Sequence, residues 1–179
     1  MTSLSPVHTV GSQIVEADYF TEEVRRFLYD RYGEDGLYEG GLSVRTTLDP
    51  RLQDIARRTL RAGLIAYDQR HGWRGPVDQI ELTPAWPQRL AEVEPPKGRG
   101  GWRLSIVLEL RDDGATIGLV SGAQAFLPLT EMAWARPWIA GQRVGPAVKH
   151  PADVVAPGDV VLVEALEGTP GSFGLRQIP

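Results

Sequence analysis

Near Trp102 the hydrophobic rhythm of the chain changes, and that change constrains the fold more than any other feature. From Pro50 onward, Leu52, Ile55, Ala56, Leu60, Leu64 and Tyr67 recur at helical spacing, while Arg51, Asp54, Arg58 and Arg61 take the other side. From Trp102 the spacing is that of a strand: Trp102, Leu104, Ile106, Leu108 and Leu110 alternate with Arg103, Ser105, Val107 and Glu109. A helical period buries a stripe and a strand period buries a face, so the two segments belong to different layers or different domains.

The strand-like half reads as a small barrel. Asp112-Asp113-Gly114 is a hairpin turn into Ala115 to Val120, and Ser121-Gly122 permits a second tight turn into Ala123 to Leu127. Thr130 can cap a short helix through Ala135, which Pro137 stops. Pro157-Gly158-Asp159 precedes the most apolar strand, Val160 to Leu166, and Glu167-Gly168-Thr169-Pro170-Gly171 turns it into Phe173 to Ile178. Five strands with a helical interruption between the third and fourth is the order of an OB-type barrel.

The half before Trp102 is organised around a strand-to-helix corner. Leu42, Val44, Thr46 and Leu48 share one face of a short strand, Asp49 is a good N-cap, and Pro50 at the first helical position gives up a donor that is unpaired there anyway. Upstream, Val24, Phe27, Leu28 and Tyr32 mark a short amphipathic helix with Glu22 and Glu23 in its first turn and Gly33 as its stop. The helix from Pro50 should end near His71-Gly72, with His71 interacting with the last carbonyls, and Asp54 can pair with Arg58. Residues 75–101 hold five prolines and end in Pro95-Pro96-Lys97-Gly98-Arg99-Gly100-Gly101, the chemistry of a connector, in which Ile80 to Leu90 could form a short helix capped by Thr83. The expected class is therefore mostly β (α+β): a leader or linker over 1–17, a helix-strand-helix segment over 18–74, a Pro/Gly-rich connector over 75–101, and a five-stranded OB-like barrel over 102–179.

Composition narrows the function. The net charge is −4 and the pI near 5.4. From Trp102 on, Arg103, Arg111, Arg136, Arg143, Lys149 and Arg176 face eight acids, a balance of 6 − 8 = −2 that lacks the electrostatic term dominating single-strand binding by OB barrels. The absence of cysteine excludes disulfides, thiol catalysis and cysteine-ligated metals. His8, His71 and His150 lie far apart, without partners at ligand spacing, and Gly98 to Gly101 lacks the flanking residues of a phosphate cradle. No apolar run reaches the roughly 20 residues of a membrane helix. No residue is assigned a catalytic, cofactor-binding or metal-ligating role. The candidate that remains is Trp134-Ala135-Arg136-Pro137-Trp138: tryptophan and arginine are enriched at interface hot spots, so Trp134, Arg136 and Trp138 read either as a docking surface or as rings that plug the barrel end.

Two blocks carry a family resemblance. Gly40-Gly41-Leu42-Ser43-Val44-Arg45-Thr46-Thr47-Leu48-Asp49-Pro50-Arg51-Leu52-Gln53 resembles the segment of class A penicillin-binding proteins that leads from the glycosyltransferase into the transpeptidase region, and Tyr67 to Pro76 resembles the stretch that follows that helix. The resemblance implies an inserted OB-like barrel next in the chain and a parent, a bifunctional peptidoglycan synthase, anchored to the inner membrane with this segment in the periplasm. No serine here has lysine three residues later, neither lysine begins Lys-Thr-Gly, and Glu34-Asp35-Gly36-Leu37-Tyr38 does not fit the glycosyltransferase Glu-Asp-x-x-Phe pattern. The expected role is hence regulatory or architectural, with the glycosyltransferase and transpeptidase domains of the same parent chain as partners and, as in some members of that family, an outer-membrane lipoprotein activator. The other reading is an oligonucleotide- or glycan-binding OB module.

Overall fold

Alternation becomes architecture in β2 (Arg103–Arg111), β3 (Gly114–Leu119), β4 (Gln124–Pro128), β7 (Asp159–Ala165) and β8 (Phe173–Arg176) of the computed structural model, which describes residues 17–141 and 143–179. The expectation for the leader falls almost wholly outside the described residues. Two compact units divide the chain, Met1–Arg61 and Ala62–Pro179.

In the second unit β2 pairs antiparallel with β3 and with β7, β3 with β4, and β7 with β8. An isolated parallel bridge joins Phe126 on β4 to Ser172 ahead of β8, and the Phe126 amide donates to Gly171 O at 2.9 Å. This is the five-strand OB-like order, in which β4 and β8 are linked by no ladder. A short β1 (Asp78–Gln79) extends the β7 edge beside β8, and β5 (Trp138–Ile139) pairs with β6 (Arg143–Val144) in a separate hairpin. Where a helix from Thr130 to Ala135 was expected, a single 3-10 turn spans Leu129–Glu131, followed by a further turn in which Ala135 donates to Met132 O at 2.8 Å.

Both faces of the sheet are buried. Val107, Ala115, Ile117, Leu127, Val161, Val163 and Leu175 fill the interior, whereas Leu104, Ile106, Val160 and Leu162 form a second core on the outside with Leu90 and Trp102. The register of β2 against β3 slips between Val107 and Glu109. That bulge takes up Leu108, which packs outside, and returns Leu110 to the interior, so two residues with the same alternation phase serve different cores. The lid of the outer core comes from the stretch read as connector: α3 (Trp86–Glu92) places Leu90 fully buried on the sheet. It starts at Trp86 with Pro87 in its first turn, later than the Thr83 cap had suggested. Gly118 makes this packing possible, since a Cβ there would lie 2.5 Å from the Trp86 ring.

In the first unit α1 (Asp18–Tyr38) runs past Gly33, where φ of 71° and ψ of −178° kink the helix instead of ending it. Residues 42–48, expected as a short strand, form no strand among the described residues, because a lone strand has no ladder to join. The corner after it forms as read: Asp49 Oδ1 accepts from the Arg51 and Leu52 amides at 2.8 and 3.3 Å, and α2 (Pro50–His71) starts at the proline. Asp54 pairs with Arg57 and Arg58 at 3.0 and 3.1 Å.

Candidate docking surface

Gly72 ends α2 with φ of 97°, and a Cβ there would lie 2.7 Å from Arg136 O, so the chain turns tightly against the loop before β5. The next residue staples that loop on both sides. The Trp73 amide donates to Arg136 O at 2.7 Å, and Trp73 O accepts from the Trp138 amide at 3.0 Å. Inside, the Trp73 indole donates to Val154 O at 3.2 Å and meets Trp134 edge-on, with ring centroids 5.8 Å apart.

The three residues singled out in the sequence therefore do different things. Trp134 is half-buried against the interior cluster, and its Nε1 is enclosed without a hydrogen-bond partner among the described residues. Arg136 is half-buried, and its Nε donates to Gly145 O at 2.7 Å, tying the β5–β6 hairpin to its own base. Trp138 is 52% exposed beside Ile139 at 38%, on a hairpin whose backbone is pinned by Trp73. Trp134 packs against Trp73 and the interior cluster, whereas Trp138 offers an aromatic face to solvent.

A polar knot that the sequence reading missed holds the end of α2 to the end of the chain. Asp68 is 7% exposed; it accepts from Arg74 Nη1 and, at 2.7 Å, from Gln177 Nε2. The same Gln177 Nε2 donates to Gly72 O at 3.1 Å, Gln177 Oε1 accepts from the Arg74 amide at 2.8 Å, and Arg74 Nη2 donates to Ile178 O. Every arm of the buried amide and carboxylate is thus satisfied. The signal in the sequence was Ile65, Asp68 and Gly72 sharing a helical face distinct from the Leu60-Leu64-Tyr67 stripe, which is exposed. His71 Nδ1 lies 2.7 Å from Tyr67 O at the helix end, as its position suggested.

Charge elsewhere is local. Asp153 Oδ2 accepts from the amides of Lys149 and His150 at 2.8 and 2.9 Å, and those two N–H donors hold its carboxyl below the usual aspartate range. Glu22 is brought down to about 2 by the Arg25 guanidinium, with a lesser contribution from Arg26. No group of three or more His, Asp or Glu side chains is placed to hold a metal ion among the described residues.

A profile described as penicillin-binding protein OB-like domain matches residues 73–179. The chain belongs to that family. The OB-like domain so defined begins at the stapling residue Trp73 and takes in α3 as well as the five strands. Among curated relatives, penicillin-binding protein 1A of Rickettsia typhi is 34% identical over 168 residues, 93% of this chain and 20% of the relative. The Pseudomonas aeruginosa protein of the same name is 34% identical over 167 residues, 92% of this chain and 20% of its own length. The crystal structure of penicillin-binding protein 1A from Haemophilus influenzae superposes with a TM-score of 0.58 at 26% identity, covering 96% of this chain and 24% of that one. The chain thus spans about a fifth of the length of the curated relatives that it matches. Among the described residues no helix is long and apolar enough to cross a membrane.

Proposed function

We propose that this chain is a non-catalytic, architectural and protein-docking part of a bifunctional peptidoglycan synthase, acting in the periplasm as a segment of an inner-membrane-anchored parent. The observation that carries the reading is the exposed Trp138–Ile139 pair on a backbone-stapled hairpin of an OB-like domain from the penicillin-binding protein family. A rigid aromatic anchor contributes area to an interface without the entropy cost of ordering a loop. The glycosyltransferase and transpeptidase domains of the parent are the partners assigned to the exposed apolar residues of α2, Leu52, Ile55 and Leu60 among them. An outer-membrane lipoprotein activator is the partner assigned to the hairpin.

The test compares two alanine variants of the full-length parent. Trp138→Ala should leave the stability of the domain within about 0.5 kcal/mol, because the side chain is half in water, and should abolish retention of the activator from periplasmic extract. Trp134→Ala should cost about 3 kcal/mol, because it opens the barrel end. Equal costs for the two, or undiminished retention by Trp138→Ala, would overturn the assignment.

A further inference from the structure

A second surface, sharing no residue with the tryptophan hairpin, lies where α3 meets the β3–β4 turn. It is a groove of about 380 Å³ floored by Leu90 and Leu104, with Val93 and Pro95 along one wall and Leu119 and Val120 along the other. Its polar groups point to one kind of ligand. Arg103 is exposed, and Arg99 is oriented by a 2.6 Å bond from its Nη1 to Trp102 O. Ser121 Oγ accepts from the Ala123 amide at 3.4 Å, which leaves its own hydroxyl proton to give. Two arginines and a serine therefore stand among the residues lining an apolar slot; among the described residues no acid lines it, and the nearby Glu92 and Glu94 are exposed.

We propose that the groove takes the C-terminal carboxylate of a partner polypeptide that ends in apolar residues. The guanidinium fork matches a planar carboxylate, and one of the two forks is already partly committed to Trp102 O, which suits a monoanion better than a phosphate. The volume sits at the small end of ligand pockets and has room for a few aliphatic side chains next to the charge. Val120 on the rim is 47% exposed, an apolar residue at a turn tip, where such a partner would cover it.

The probe is an acetylated tetrapeptide, Gly-Leu-Val-Leu, with a free C-terminus, titrated into the isotopically labelled full chain and followed by amide chemical shifts. Binding should perturb Val93 and Leu119 to Ser121 with a Kd on the order of 1 mM. The C-terminal amide of the same peptide should bind at least tenfold more weakly. Arg103→Gln should weaken the acid about tenfold, and Val120→Glu, a surface change that leaves the fold intact, should remove binding by placing a carboxylate in the slot. Acid and amide binding alike, equal shifts from inorganic phosphate, no shifts up to about 10 mM peptide, or an unaffected Val120→Glu variant would each overturn the proposal.

Discussion

Replacing Asp68 by alanine removes the acceptor on which Arg74 and Gln177 converge, and the structure sets the size of the loss. Gln177 is buried; without Asp68 one of its Nε2 protons is stranded, while the other keeps Gly72 O. An unsatisfied buried donor costs about 1–3 kcal/mol. Arg74 loses its ion pair but is 45% exposed and keeps its bond to Ile178 O, so water recovers much of its solvation and its share is about 1 kcal/mol. The sum, about 3 kcal/mol, falls at the low end of what breaking a buried charge pair costs. Asp68→Asn keeps one acceptor and should lose about half as much. Urea unfolding followed by tryptophan fluorescence reads the effect as a midpoint shift of about 1–2 M at a slope of about 2 kcal/mol per M. In a double-mutant cycle with Gln177→Met the two losses should fall short of additivity by more than 0.5 kcal/mol, about the lower bound for contacting residues. A loss under about 0.5 kcal/mol for Asp68→Ala, or strict additivity with Gln177→Met, would refute the idea that this knot holds the helix end to the last strand.

Gly118→Val should push the Trp86 ring off β3 and lift α3 from the sheet, at a cost of about 2–3 kcal/mol seen as a lower melting temperature, with an increase in exposed tryptophan emission. An unchanged melting temperature would mean that α3 is not seated where it is described. Asp153 has its folded-state carboxyl below the ordinary 3.8, so its contribution is complete above that value and fades as the pH falls through the lower, folded one. Asp153→Asn should therefore narrow the gap to the parent below pH 3.8 and leave the difference constant from pH 5 to 7, measured by melting at each pH.

The strands from Trp102 to Ile178 were readable because each is apolar at the right period and is bounded by turn residues whose conformations admit little else. What the alternation could not show is that both faces of β2 and β7 are buried, or that a bulge at Leu108 shifts Leu110 to the inner face. The prolines and glycines of 75–101 have the local chemistry of a connector, and only tertiary contact makes them a lid: Leu90 and Trp86 find an apolar sheet that needs covering. At the site, Trp134 and Trp138 stand four residues apart, but the chain leaves helical geometry after Glu131, so spacing says nothing about their relative direction. Asp68 escaped notice because its place on the Ile65 face is a weak signal without its buried partner, and that partner, Gln177, lies 109 residues away in sequence.

The knot and the staple have a joint consequence for recognition. Both act on the few residues between the last turn of α2 and β1, and both lie within the Ala62–Pro179 unit. The Asp68–Gln177 bond ties the helix end to the end of the chain, and the Trp73 bonds tie the following residue to the tryptophan hairpin. Within that unit, then, the exposed side chains of Leu64 and Tyr67 on α2 and of Trp138 on β5 are presented by one continuous hydrogen-bonded frame. A partner that touches both elements meets groups whose relative positions are set before binding, and it is spared the ordering cost that a flexible linker at 72–77 would impose. The frame gives Asp68 a meaning beyond stability: a variant that loosens the knot while the barrel stays folded should weaken a partner that engages α2 together with the hairpin, and should leave untouched one that engages the hairpin alone.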